Sequence, residues 1–180
     1  MPPKKNKKIG CNATITTKLL SFLNCLGITN TKETIQRYEV ICLTKKDKID
    51  IYLYHKELKP FITSNLPNLY IHGVHIATIK KDKLLPYLGL LSLLRVNNIE
   101  VTRSYVVVSD EGEKLFLYGR DILPQSIIKI ERPSSRCPKI VVVMNTQGDL
   151  LGWGYLIRKG SNQFLIRNLI DAGWYLRSGV

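Results

Sequence analysis

The chain has 180 residues, 44% of them apolar, which suits one ordinary domain or two small ones with a packed core and excludes a disordered chain. Lys and Arg number 27 against 14 Asp and Glu, a net charge of +13, which points to polyanionic partners, usually nucleic acid or anionic membrane. No apolar run approaches the ~20 residues of a membrane-spanning helix.

Charge is spread along the chain: residues 1–100 hold 16 basic and 7 acidic side chains, residues 101–180 hold 11 and 7. Residues 1–14, with Lys4, Lys5, Lys7 and Lys8 behind two prolines, read as a disordered basic tail. KLLSFLNCLGI after it imitates a signal peptide but carries Ser21 and Asn24 and lacks a small-residue cleavage site, so residues 16–27 read as an amphipathic helix stopped by Gly27. The four cysteines show no CxxC pair and no framework spacing, and the expectation is reduced thiols in a cytosolic compartment.

A second helical stretch is expected after Asn30 and Thr31. YEVICL, the turn KKDK and IDIYLY then form two tightly joined strands, rich in β-branched and aromatic residues. HKELKPFI has helical character, LYIHGVHIATIKK is a further strand, and LLPYLGLLSLL reads as a buried helix begun near Pro86. Arg95 to Glu100, with Asn97 and Asn98, is the expected boundary, dividing an α/β domain over 15–100 from a second domain over 101–180.

Beyond it SYVVV is a strand. Ser109 is placed as an N-cap, Asp110 and Glu111 put negative charge in the first turn, and Gly119 ends the helix in the left-handed conformation. IIKI, KIVVVM, the turn NTQGD, LLGWGYLI and an apolar segment through DAGWYLR follow as short strands, which suggests a compact barrel. No internal repeat is evident.

Catalytic signatures are missing. His72 and His75 form HxxH, but three residues apart on a strand they face opposite ways, and no third ligand is obvious. Gly152 and Gly154 begin a G-x-G whose third dinucleotide glycine would fall on Ile157. No G-x-S-x-G elbow or locally activated cysteine stands out. The expectation is no catalysis, no metal and no cofactor.

KLFLYGRDILPQSI, VVVMNTQGDLLGWGYLI and DAGWYLR together resemble a PUA domain over residues 104–180. FLYG, LGWG and DAGWYLR, with YLYHKELKPFI and LYIHGVHIATIKKDKLLPYLGLL in the same order upstream, resemble the Nip-seven family of large-subunit ribosome-biogenesis factors. Gln125 and Ser126 depart from the pattern, standing where PUA turns commonly carry a second glycine.

The resemblance implies an α+β protein, an N-terminal α/β domain followed by a PUA pseudo-barrel. It implies binding of pre-rRNA, in single-stranded regions, during large-subunit assembly. It further implies assembly-protein partners for the N-terminal domain, a monomer, no membrane, and a cytoplasmic location in an archaeon or a nucleolar one in a eukaryote. An RNA-delivery subunit of a modification enzyme and a protein scaffold stand as alternatives.

The resemblance places RNA contacts at Arg158 and Lys159; solvated strand-end charges are the other reading. Arg167, Arg177 and Arg120 are further candidates, Arg177 with the alternative of anchoring the C-terminus to Asp171. Arg132, Arg136 and Lys139 read as a general basic surface. Trp153 reads as core, and one of Trp174 and Tyr175 as core on an extended segment.

Overall fold

The computed structural model describes residues 7–29, 36–60, 73–160 and 163–178. They form two compact units, the first of residues 1–21 and 30–90, the second of residues 22–29 and 91–180. The stretch Arg95 to Glu100 therefore lies inside the second unit.

In the first unit, β1 (Lys7–Gly10), β2 (Tyr38–Lys45), β3 (Lys48–His55), β4 (Val74–Lys80) and β5 (Lys83–Pro86) make an antiparallel sheet in that order. Lys7 and Lys8 are thus strand residues opposite Thr44 and Leu43, not part of a tail, because the free edge of β2 offers them a backbone ladder. Pro86 closes β5 rather than opening a helix: it lies opposite Ala77 at the sheet edge, where its missing N–H costs no ladder bond.

Helix α1 (Ala13–Cys25) is capped by Asn12, whose side chain accepts the Ile15 N–H at 3.0 Å. It ends where Ile28 N–H donates to Leu23 and Gly27 takes φ 76°. Its buried residues Ile15, Leu19, Phe22 and Leu23 recur at helical spacing, and Leu26 just beyond its end is buried too. The helical stretch expected after Asn30 falls largely outside the described residues, as do His72 and the start of LYIHG. HKELKPFI is a short 3-10 turn at Lys56–Leu58 in its described part. Helix α2 (Leu88–Val96) buries Leu88, Leu90, Leu91 and Leu94.

The cysteines are paired, Cys11 with Cys42 and Cys25 with Cys137, each pair within one unit. This corrects the expectation of free thiols. Separations of 31 and 112 residues carry no local signature; only the tertiary fold brings the pairs together.

The second unit is a five-stranded sheet ordered β10 (Phe164–Asp171), β9 (Leu150–Arg158), β8 (Ile140–Met144), β6 (Tyr105–Val108), β7 (Ile127–Glu131), with β6 and β8 parallel. An isolated bridge between Ile122 and Ile166 brings the loop before β7 against β10. Val106, Val108, Phe116, Ile122, Val141, Val143, Leu151, Leu156 and Ile166 form its core. Helix α3 (Asp110–Leu117) starts at Ser109, whose hydroxyl accepts the Gly112 N–H, and ends at Gly119 with φ 79°. At the position of the departing Gln125 and Ser126, Pro124–Ser126 makes a 3-10 turn whose buried Ser126 carbonyl accepts the Ser109 N–H.

Candidate nucleic-acid interface

The site is built from strand β9. Gly152 and Gly154 are glycines because a Cβ there would collide with the Ile170 carbonyl and with Ile166 Cγ2, respectively. The alternate face carries Trp153, fully buried with its ring tilted against Phe22 at 5.7 Å, and then Tyr155, 38% exposed. β9 therefore begins as core and finishes at the surface.

Its finish is a small basic mouth. The β9–β10 register sets Arg158 opposite Phe164, and the next pair on that face, Leu156 and Ile166, is core. The turn is held by Lys159 N–H donating to the Gln163 carbonyl at 2.7 Å and by Arg158 Nε donating to the Gly160 carbonyl at 2.9 Å. Gly160, at φ 107°, supplies the backbone freedom this requires.

Arg132, just past β7, lays its guanidinium 5.7 Å from the Phe164 ring centroid. Between β7 and the start of β10 lies an open groove of about 320 Å³, lined by Pro124, Ile128, Lys129, Ile130, Gln163 and Phe164. Arg132 thus lies over one half-buried ring whose strand partner is Arg158, with Lys159 next along the chain, beside a groove with an apolar wall. Cations for phosphates and a ring face for a base are what a single-stranded nucleic acid requires of a protein.

The other candidates lie elsewhere on the unit. Arg167 is exposed on β10 opposite Tyr155, on the face alternate to Phe164. Arg120 is exposed after α3, beside Asp121, whose carboxylate accepts the Asn168 N–H. Arg177 serves the fold: its guanidinium grips buried Asp171 with two bonds of 3.0 and 2.8 Å and also donates to the Leu117 carbonyl. The Asp171 hydrogen bond holds the Arg177 guanidinium above its ordinary pKa. A guanidinium committed this way has few donors left for a phosphate, so Arg177 leaves the candidate set.

The segment after β10 is not extended. Trp174–Arg177 is a short helix, α4, and Trp174, Tyr175 and Leu176 are all exposed, so neither aromatic is core. Lys129 sits 5.3 Å from the Tyr105 ring, and their hydrogen bond raises its pKa. The sequence reading missed Phe164 and Lys129 and left Arg132 among general surface charges. Only the strand register shows that Arg158 is the strand partner of the ring that Arg132 covers.

In the first unit His75 packs between Tyr52 and Tyr87, with ring centroids 4.8 and 4.0 Å away. Its Nε2 lies 3.1 Å from Thr78 Oγ1, and the Thr78 hydroxyl donates to buried Asp50 at 2.7 Å. Among the described residues no three His, Cys, Asp or Glu side chains cluster as a metal site.

Residues 104–180 match the family model described as the UPF0113 PUA domain. Two curated archaeal relatives are each called a UPF0113 protein. That of Aeropyrum pernix is 34% identical over 118 residues, covering 63% of this chain and 61% of its own. That of Archaeoglobus fulgidus is 32% identical over 117 residues, covering 61% and 63%. The matches span about three fifths of those relatives' length.

A conserved PUA domain protein from Thermoplasma acidophilum has a similar fold, with TM-score 0.54 at 16% identity, covering 96% of this chain and 99% of its own. A hypothetical protein from Pyrococcus horikoshii OT3 gives 0.55 at 14%, covering 94% and 99%. Residues 104–180 thus match the UPF0113 PUA-domain model, and the chain shares its fold with these two structures.

Proposed function

We propose that this protein binds single-stranded RNA through the mouth of its PUA barrel and acts, without catalysis of its own, in pre-rRNA processing and large-subunit assembly. The observation that carries the binding reading is the Arg132 guanidinium over Phe164, the strand partner of Arg158, beside an open groove. Backbone phosphates would supply most of the affinity, and stacking of one base on Phe164 would favour single strands over duplex. The ribosomal role rests on the resemblance of FLYG, LGWG and DAGWYLR to the Nip-seven family. The cytoplasm fits the disulfides if the source is a hyperthermophilic archaeon, where intracellular proteins are disulfide-rich.

The test is a salt titration of oligouridylate binding with Arg158→Ala/Lys159→Ala in the full chain. Each lost single-strand phosphate contact lowers the slope of log K against log salt by ~0.7, so the double variant should lose ~1.4. A folded variant with an unchanged slope refutes the assignment.

A scaffold role for the protein has one observation in its favour. Tyr118, Trp174, Tyr175 and Leu176 are exposed in the second unit, and aromatic surface of that kind is enriched at protein interfaces. Loss of assembly-factor binding in Trp174→Ala/Leu176→Ala, with RNA affinity intact, would favour it.

A further inference from the structure

The tetrapeptide Lys-Lys-Asp-Lys occurs twice, at residues 45–48 and 80–83, and both copies are hairpin turns at the same end of the first unit's sheet. The register joins them: Lys45 lies opposite Lys48, Lys48 opposite Lys80, and Lys80 opposite Lys83. Four strands thus present a row of lysines, with neighbours ~5 Å apart and the row ~15 Å across. Like charges directly opposite one another oppose strand pairing, so the row works against the sheet that carries it.

The turns make the same point. Lys46 has φ 50°, Lys81 has φ 47° and Asp82 has φ 65°, the left-handed region where glycine, asparagine and aspartate are favoured and lysine is not. Both copies put a lysine at the first such position. Both lysines are exposed, as is Lys83. Asp47 lies 3.7 Å from Lys80, Asp50 lies 3.2 Å from Lys48, and Asp82 pairs with Lys18. Lys46, Lys81 and Lys83 form no ion pair among the described residues. Lys48 and Lys80 are therefore neutralised and held in place, and Lys46, Lys81 and Lys83 are offered outward.

We infer that the paired turns are a second phosphate-binding surface, which engages the backbone of single-stranded RNA. The inference rests on the RNA-binding reading above. Lysine suits it, since an ammonium on a mobile stem meets phosphates as a point charge and reads no sequence. Two linked weak sites add avidity only when one strand is long enough to reach both.

Lys46→Asn/Lys81→Asn separates folding from binding, because asparagine is the better residue at both left-handed positions. The variant should unfold at the same or higher temperature than the parent. Its affinity for an oligouridylate of about 20 nucleotides should fall, and that for one of about 6 should not, given site sizes of ~4–16 nucleotides per single-strand-binding domain. Two lost contacts should reduce the slope by ~1.4, or about 25-fold in affinity at ~0.1 M salt relative to 1 M.

Arg132→Ala/Arg158→Ala is run beside it, with vesicles of mixed phosphatidylserine and phosphatidylcholine as a control. If the lysine variant binds the long strand like the parent while the arginine variant loses both lengths, the second surface is refuted and the barrel site stands. If the lysine variant alone loses affinity, the second surface stands and the barrel site falls. Loss of vesicle binding with undiminished RNA binding overturns the inference in favour of a membrane surface.

Discussion

Removing the Cys25–Cys137 disulfide should cost about as much stability as the largest side-chain truncation in the core. The bond ties the C-terminus of α1 to the segment between β7 and β8 and closes a loop of 112 residues. In the chain-entropy account a loop of that length restricts the unfolded state by about 4.8 kcal/mol, and the 31-residue loop of Cys11–Cys42 by about 3.7 kcal/mol. The two loops overlap, yet a path from Cys25 to Cys137 through the other disulfide is nearly as long as the direct chain. The losses should therefore be close to additive.

Alanine rather than serine is the replacement, since Cys42 is fully buried and a hydroxyl there would lack a partner. Urea unfolding of the parent, Cys25→Ala/Cys137→Ala and Cys11→Ala/Cys42→Ala gives the three midpoints. Thiol titration of the denatured, unreduced parent should find no free thiol. Four titratable thiols, or a midpoint unmoved in the Cys25→Ala/Cys137→Ala variant, would refute the reasoning. A domain stable by 5–15 kcal/mol has little margin for such a loss, so reduction alone should lower the midpoint markedly.

Trp153→Ala should cost about 3–5 kcal/mol, because it empties a fully buried site against Phe22; chemical denaturation reads it. Gly154→Ala should destabilise by roughly 1–3 kcal/mol through its collision with Ile166, and a compensating Ile166→Val should recover part of that. Burial of Asp50 would raise its carboxyl, but hydrogen bonds from Thr78 and Lys48 outweigh this and hold it below 3.8. Its folded pKa being depressed, it contributes stability above about pH 4 that is lost as pH falls through the folded value, and Thr78→Val should flatten that acid limb in a pH series of thermal melts. Ser109→Ala should cost about 1 kcal/mol as a lost N-cap of α3, read by the same melts.

Local chemistry made parts of this molecule readable in advance. Ser109, Asp110 and Gly119 bound a helix because a cap, a dipole and a left-handed stop are properties of a few adjacent residues. The KKDK turn at residues 45–48 is legible for the same reason. What needed the folded chain depends on distant segments meeting. Arg132 is aimed at a ring 32 positions later, and Cys25 finds Cys137 across most of the sequence.

Arg177 shows the limit from the other side. Its charge invited a binding role, yet the buried Asp171 carboxylate claims both of its terminal nitrogens. Trp174 and Tyr175 were assigned by strand alternation, which fails when the segment turns into a four-residue helix and leaves both exposed. The lysine row depends on register as well: two copies of one tetrapeptide become a single surface only once Lys48 is known to face Lys80.

The most direct test of the RNA site is photo-crosslinking of the full chain to an oligouridylate, with the crosslinked peptides identified by mass spectrometry. Crosslinks at Phe164 and in the peptide containing Arg132, lost on adding unlabelled single strand but not duplex, are what the barrel-mouth account predicts. Crosslinks confined to Tyr118, Trp174 and Tyr175, with Phe164 unmodified, would contradict it.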